Sequence, residues 1–129
     1  MKIYCDMDGV LVNQTGRDRF DVMPWMPDGK ALWAFLGPLK PTILSMLRPD
    51  IYERCKPQKQ AWCERELGKD VEVIVTPYAV GKGPYASFGA LLIDDDYAMH
   101  APPWVRNCGT FIHHRNAAES IRQLKALLG

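Results

Sequence analysis

Short apolar runs alternate along the chain with mixed polar and apolar segments, and several runs stop abruptly on a polar group. Lys2-Ile3-Tyr4-Cys5 is a short strand candidate ending at Asp6. Residues 41–46 (Pro-Thr-Ile-Leu-Ser-Met) read as a second strand closed by Ser45, and residues 71–75 (Val-Glu-Val-Ile-Val), rich in β-branched side chains, as a third. Ala90-Leu91-Leu92-Ile93 is an apolar run that meets three aspartates, and Thr110–His113 is a weaker strand. Between them the pattern turns helical. Asp28 is placed to cap a helix over 29–36 that Gly37 and Pro38 stop. Pro57 suits the first position of a helix ending at Gly68, with Ala61, Trp62 and Leu67 on its apolar face. Asn116 and Glu119 form a capping-box pair for a last helix with Ile121, Leu124, Leu127 and Leu128 facing inward. Residues 9–27 and 76–89 are broken by Gly and Pro and predict loops, the second with at most a short helix.

Strands separated by helices predict an α/β fold: a three-layer, Rossmann-like parallel sheet of about five strands. In such sheets ligands sit outside the carboxyl ends of the strands. Asp6 and Asp8 follow the first strand, Ser45 the second, Lys82 the third, and Asp94, Asp95 and Asp96 the fourth. All of them therefore fall at one edge.

Composition narrows the partners. The 129 residues are enough for one core of ordinary size, and 47% hydrophobic with 24% charged residues excludes disordered and coiled-coil chains. A net charge of +1 leaves no electrostatic footprint for nucleic acid, although a local basic patch escapes such a count. The N-terminal apolar run is interrupted by Asp6 and Asp8, so neither a signal peptide nor a membrane span is expected, and the cytoplasm is the default compartment. Cys5, Cys55, Cys63 and Cys108 form no Cys-x-x-Cys pair and have no histidine at a zinc-like offset; they read as reduced, mostly buried thiols.

Two carboxylates two residues apart after a buried strand repel each other unless one is protonated or a cation intervenes. Three more converge on the same edge. A set of hard oxygen donors selects Mg²⁺ over zinc. Lys82 can hold a phosphate and partner a carboxylate, and Ser45 offers a hydroxyl to phosphate oxygens; Thr42 is an alternative donor placed less well. A carboxylate can itself attack phosphorus once its charge and that of the phosphate are offset.

These residues, in this order, resemble the motifs of the haloacid dehalogenase superfamily of phosphotransferases. Asp6-Met7-Asp8-Gly9-Val10-Leu11 is similar to its first motif, Ile43-Leu44-Ser45 to its second, Lys82 to its third, and Leu91-Leu92-Ile93-Asp94-Asp95 to its fourth. Within the superfamily the chain looks closest to the 5′(3′)-deoxyribonucleotidase-like group, through Pro57–Cys63 with Leu67-Gly68 and through Gly109–His114. It departs from that group in a very short segment between the first two motifs and in Asp96, where an Arg is frequent. The resemblance implies an aspartyl-phosphate at Asp6, with Asp8 as general acid and then base. It implies Mg²⁺ held by Asp6, the backbone carbonyl of Asp8 and Asp95, with Asp94 beside them or sharing the duty, and the phosphoryl group held by Ser45 and Lys82. The second aspartate favours phosphoryl transfer over dehalogenation.

Ordinary readings stand beside these. Asp-Gly is a common turn dipeptide, and Ser45, Lys82 and Asp96 taken singly are a strand-end hydroxyl, a loop cation and a turn or cap residue. His100, His113 and His114 read as surface or core-edge residues. Phe20 and Trp25, in the irregular stretch after the first motif, are candidates to stack on a base or to make a dimer contact, and Arg17 and Arg19 are candidates to meet a substrate. The expected protein is a single minimal phosphatase domain over 1–129, its site open or covered only by a short flap at 13–38. The expected substrate is a small phosphate ester such as a nucleoside monophosphate. The alternatives are a phosphatase of polymer ends or phosphoproteins, and a catalytically silent binding module.

Overall fold

A computed structural model describes residues 1–14 and 19–129. Five strands form one sheet: β1 (Lys2–Cys5), β2 (Thr42–Leu47), β3 (Val73–Pro77), β4 (Ala90–Asp94) and β5 (Thr110–His113). Their order is β3-β2-β1-β4-β5, and every pairing is parallel. The chain runs outward from β1 to one edge, then returns to the other side of β1 at β4, which places a topological switch point between β1 and β4. Four helices cover the sheet: α1 (Gly29–Leu36), α2 (Tyr52–Glu66), α3 (Tyr97–Arg106) and α4 (Ala117–Leu128).

The two faces are covered unequally. Side chains alternate along a strand, so Ile3, Cys5, Ile43, Leu91 and Ile93 point to one face and pack with α1, α2 and α4 through Leu32, Leu36, Cys55, Trp62 and Leu124. Leu44, Ala90 and Leu92 point to the other, against Trp104 of α3 and Tyr85 of a short 3-10 turn at Gly83–Tyr85. Among the described residues no helix is long and apolar enough to cross a membrane.

Several expectations are corrected. The second helix starts five residues early, at Tyr52, and carries Pro57 in its second turn; its buried positions are Cys55, Lys59, Trp62 and Cys63, while Ala61 is exposed. β3 runs two residues beyond the expected end because Thr76 and Pro77 pair with Met46 and Leu47. A proline is tolerated there because β3 is an edge strand with no further partner. Helix α3 stands where no apolar period announces one, and Pro102 and Pro103 lie inside it. In α4 the buried positions are Ala117, Ser120 and Leu124, and Leu127 and Leu128 are exposed near the helix end. Asp28 sits at the N-cap of α1, but its carboxylate accepts from the Ala117 amide (2.6 Å) at the start of α4 instead. The Asn116 cap on Glu119 forms as expected, at 2.8 Å. The four cysteines are free; three are buried and Cys108 is exposed.

Candidate active site

The carboxyl ends of β1, β2 and β4 open into a cleft of about 500 Å³ lined by Asp6, Asp8, Ser45, Lys82, Asp94 and Asp95, with His100 at its wall. Residues far apart in sequence meet here because parallel strands aim their carboxyl ends one way. The segment 13–38 contributes Asn13, Gln14 and Met26 to the rim.

Lys82 enters from the loop before β4. It is fully buried and its ammonium donates to Asp6 Oδ1 (2.9 Å) and Asp94 Oδ2 (2.6 Å). Those two carboxylates outweigh the effect of burial and hold Lys82 protonated far above the ordinary range. Burial alone would raise the Asp6 carboxyl, but Lys82 and Lys59 overcome it and leave Asp6 below the usual carboxylate range. Asp6 is therefore ionised, as a nucleophile must be.

Asp94 already accepts twice, from Lys82 and from the Asp96 amide at 2.9 Å, and burial together with the charge of Asp6 pushes its carboxyl up. Asp95 is the more open of the pair and is pushed up to about 7 by burial and by Asp6. Ligand oxygens of Asp6, Asp94 and Asp95 lie within 4.8 Å of one another. A side chain at Gly9, whose φ is +79°, would overlap the Asp95 carboxylate, so the turn after β1 has to be glycine for Asp95 to reach the cluster.

Asp8 turns away from that cluster. Its Oδ2 accepts from the ammonium of Lys59 at 2.8 Å, and Oδ1 is a buried oxygen without a partner. Burial and the charge of Asp6 outweigh Lys59, so the Asp8 carboxyl is raised, in keeping with a group that must carry a proton part of the time. The Asp8 side chain is thus not grouped with the three cluster carboxylates.

The donor set fits a hard divalent cation. Asp6, Asp8, Asp94 and Asp95 supply four carboxyl groups against the two ammonium groups of Lys59 and Lys82, and Asp8, Asp94 and Asp95 are all pushed up, as crowded carboxyls short of cations are. Carboxylates held this close repel one another unless a proton or cation lies between them. The donors near the cluster are all oxygen, as Mg²⁺ requires.

Ser45 lies within β2 and not at its end, since the strand continues through Leu47. By alternation it faces the α2 layer while lining the cleft, and its Oγ accepts from Lys59 at 2.6 Å. Thr42 is at the far end of the strand and bonds Glu72 Oε1 (2.6 Å), away from the cleft.

The proposed stacking residues do not assemble at the cleft. Trp25 packs on Trp62, with ring centroids 5.0 Å apart, and its indole N–H donates to Glu66 Oε1 at 2.7 Å. Phe20 is a core residue, 2% exposed, with the Lys59 ammonium 4.5 Å from its ring centre, so that face is taken. Arg19 is paired with its neighbour Asp21, at 3.1 Å. Arg17 lies outside the described residues. Asp96 caps α3, accepting from the Met99 amide at 3.1 Å. His114 bonds Ser120 Oγ (2.7 Å) in the interior, and His113 packs beside Tyr97.

Two groups at the cleft, one on its wall and one buried behind it, escape the sequence reading. His100, buried on α3, is pushed down to about 4, first by burial and then by Lys82, and so is neutral at the wall. Lys59 is the other, and one signal for it exists: a lysine at the buried spacing Cys55, Lys59, Trp62, Cys63 of one helix face needs a carboxylate partner. No protein-family model matches the chain, and a search of curated proteins finds none similar to it.

Proposed function

We propose that the chain is a Mg²⁺-dependent phosphate-monoester hydrolase of the haloacid dehalogenase type, acting through a phosphorylated Asp6. The observation that carries this reading is the meeting in one cleft of a carboxylate held low at Asp6, a carboxyl of raised pKa at Asp8, the phosphate-binding candidates Ser45 and Lys82, and a cluster of carboxylate oxygens from Asp6, Asp94 and Asp95. The four motif segments noted in the sequence supply precisely placed members of that set only in combination, since each alone has an ordinary explanation.

On this reading Asp6 attacks phosphorus in line, the phosphorus–ester oxygen bond breaks, and the leaving oxygen takes the proton of Asp8. Water then attacks the phosphorylated Asp6, gives a proton to the Asp8 carboxylate, and frees orthophosphate. Lys82 and the Ser45 hydroxyl hold the equatorial oxygens, where the transition state spreads its charge. Asp6, Asp95 and the Asp8 carbonyl, with Asp94 beside them, would hold Mg²⁺, which when bound would offset charge on the transferring group. Asp95 is the better direct ligand of the acidic pair, because both oxygens of Asp94 already accept hydrogen bonds.

The substrate we favour is a small phosphate ester such as a nucleoside monophosphate. The cleft volume suits it, but the aromatic side chains do not argue for a base, since Phe20 and Trp25 are engaged elsewhere. A phosphatase screen with Mg²⁺ tests the reading: nucleoside monophosphates, a generic aryl phosphate, phosphopeptides and 3′-phosphorylated oligonucleotides, on wild type and Asp6→Asn. Release by wild type alone is expected. No release from any ester would leave only the binding-module reading, and a clear preference for peptides or oligonucleotides would replace the nucleotide.

A further inference from the structure

Lys59 is a charged group with every donor engaged. It is 0% exposed, although it is a lysine in the middle of a helix. An ammonium has three donors and no acceptor. All three are used, on Asp8 Oδ2 (2.8 Å), Ser45 Oγ (2.6 Å) and the Met46 carbonyl (3.2 Å). The ring of Phe20 covers it, and the Phe20 amide is tied to the neighbouring Gln58 Oε1 at 2.9 Å. Lys59 therefore has no N–H left for a substrate.

Its effect on Ser45 follows from hydrogen-bond roles. Because Lys59 can only donate, Ser45 Oγ must accept from it, and the serine's own proton is left to donate elsewhere. We propose that Lys59 is a positioning residue: one buried ammonium turns the Ser45 hydroxyl into a donor for the phosphate. It acts through Ser45 and touches no substrate. The inference deepens the phosphatase reading and itself needs only phosphate binding at Ser45.

The test uses Lys59→Met, with thermal unfolding as the check on folding, and needs no turnover. Calorimetry with orthophosphate and Mg²⁺ is expected to show binding weakened about 10-fold in Lys59→Met and no further weakening, within about 2-fold, when Lys59→Met is added to Ser45→Ala. A lysine that served only the fold would weaken binding as much in Ser45→Ala as in wild type. Such additive losses, or no orthophosphate binding by wild type, overturn the proposal. Wild type that binds orthophosphate with the expected non-additivity but hydrolyses no ester would sink the phosphatase reading and leave the Lys59–Ser45 proposal standing. If Lys59→Met does not fold, Lys59→Gln, which keeps two N–H donors without the charge, is taken through the same comparison with the same non-additivity expected.

Discussion

The two buried lysines reach one cleft from opposite faces of the sheet. Lys82 comes from the loop before β4 on the thinly covered face, and bridges Asp6 and Asp94. Lys59 comes from α2 in the thick helical layer, and bridges Asp8 and Ser45. Lys82 neutralises Asp6 and Asp94, the carboxylates proposed to react and to sit beside the metal. Lys59 saturates its donors on Asp8, Ser45 and the Met46 carbonyl, the first two proposed to handle protons and phosphate. The same side chain thus does electrostatic work in one half of the cleft and orienting work in the other, and the difference is set by what each ammonium has left to give.

Breaking the centre of the Lys82 half has the largest expected effect. Asp6→Asn removes the nucleophile, and hydrolysis of every ester is expected to fall to background in a phosphate-release assay, while the protein remains folded because Lys82 keeps Asp94. Turnover that survives in Asp6→Asn would falsify the assigned nucleophile. Lys82→Met comes next. Activity is expected to fall about 10²–10³-fold, the worth of a preorganised donor, and orthophosphate binding to weaken equally with and without Ser45, unlike the change at Lys59. Stability is expected to drop by about 3–5 kcal/mol in urea titrations, because two buried carboxylates lose their partner. A loss of binding that vanished in Ser45→Ala would erase the contrast between the lysines.

Removal of divalent metal by a chelator is expected to abolish turnover and lower the melting temperature, since the crowded carboxyls are then short of a cation; restoration by Mg²⁺ but not by a monovalent salt of equal ionic strength is the check. A smaller effect concerns pH. His100 has a folded pKa of about 4, below its ordinary 6.5, so the unfolded chain binds the proton more readily. The stability it confers is complete above about pH 6.5 and is lost as pH falls toward 4. His100→Gln is expected to reduce the difference in unfolding free energy between pH 7 and pH 4.5 by at most about 3 kcal/mol; an unchanged difference would show that His100 is not held neutral. The smallest effect belongs to Trp25→Phe, which loses the Glu66 hydrogen bond: about 1 kcal/mol of stability, and kcat and KM within about 2-fold of wild type. A large rise in KM for nucleotides alone would return Trp25 to the substrate.

How much was legible differs between the halves as well. Asp6, Asp8, Lys82, Asp94 and Asp95 each follow or precede an apolar run, and in a parallel sheet the end of a run is the edge of the sheet, so their convergence could be read along the chain. Lys59 sits mid-helix among Lys56, Gln58 and Gln60, where local composition points to a solvated face. Its burial depends on how α2 is rotated against the sheet, which Trp62 and Cys63 fix by packing. The helix α3 was hidden by Pro102 and Pro103, and with it His100. Phe20 and Trp25 were drawn toward a ligand by their place after the first motif, but packing under α2 and against Trp62 took both.

The sequence by itself determined the alternation of strands and helices, the parallel sheet, and the edge at which the acidic residues collect, because those follow from local periodicity and the geometry of parallel connections. The tertiary structure alone decided which way Asp8 turns, that Ser45 Oγ accepts from Lys59, and that a second ammonium lies buried behind the cleft. Those outcomes depend on the rotation of one helix against one strand, a relation between distant segments that no local pattern along the chain encodes.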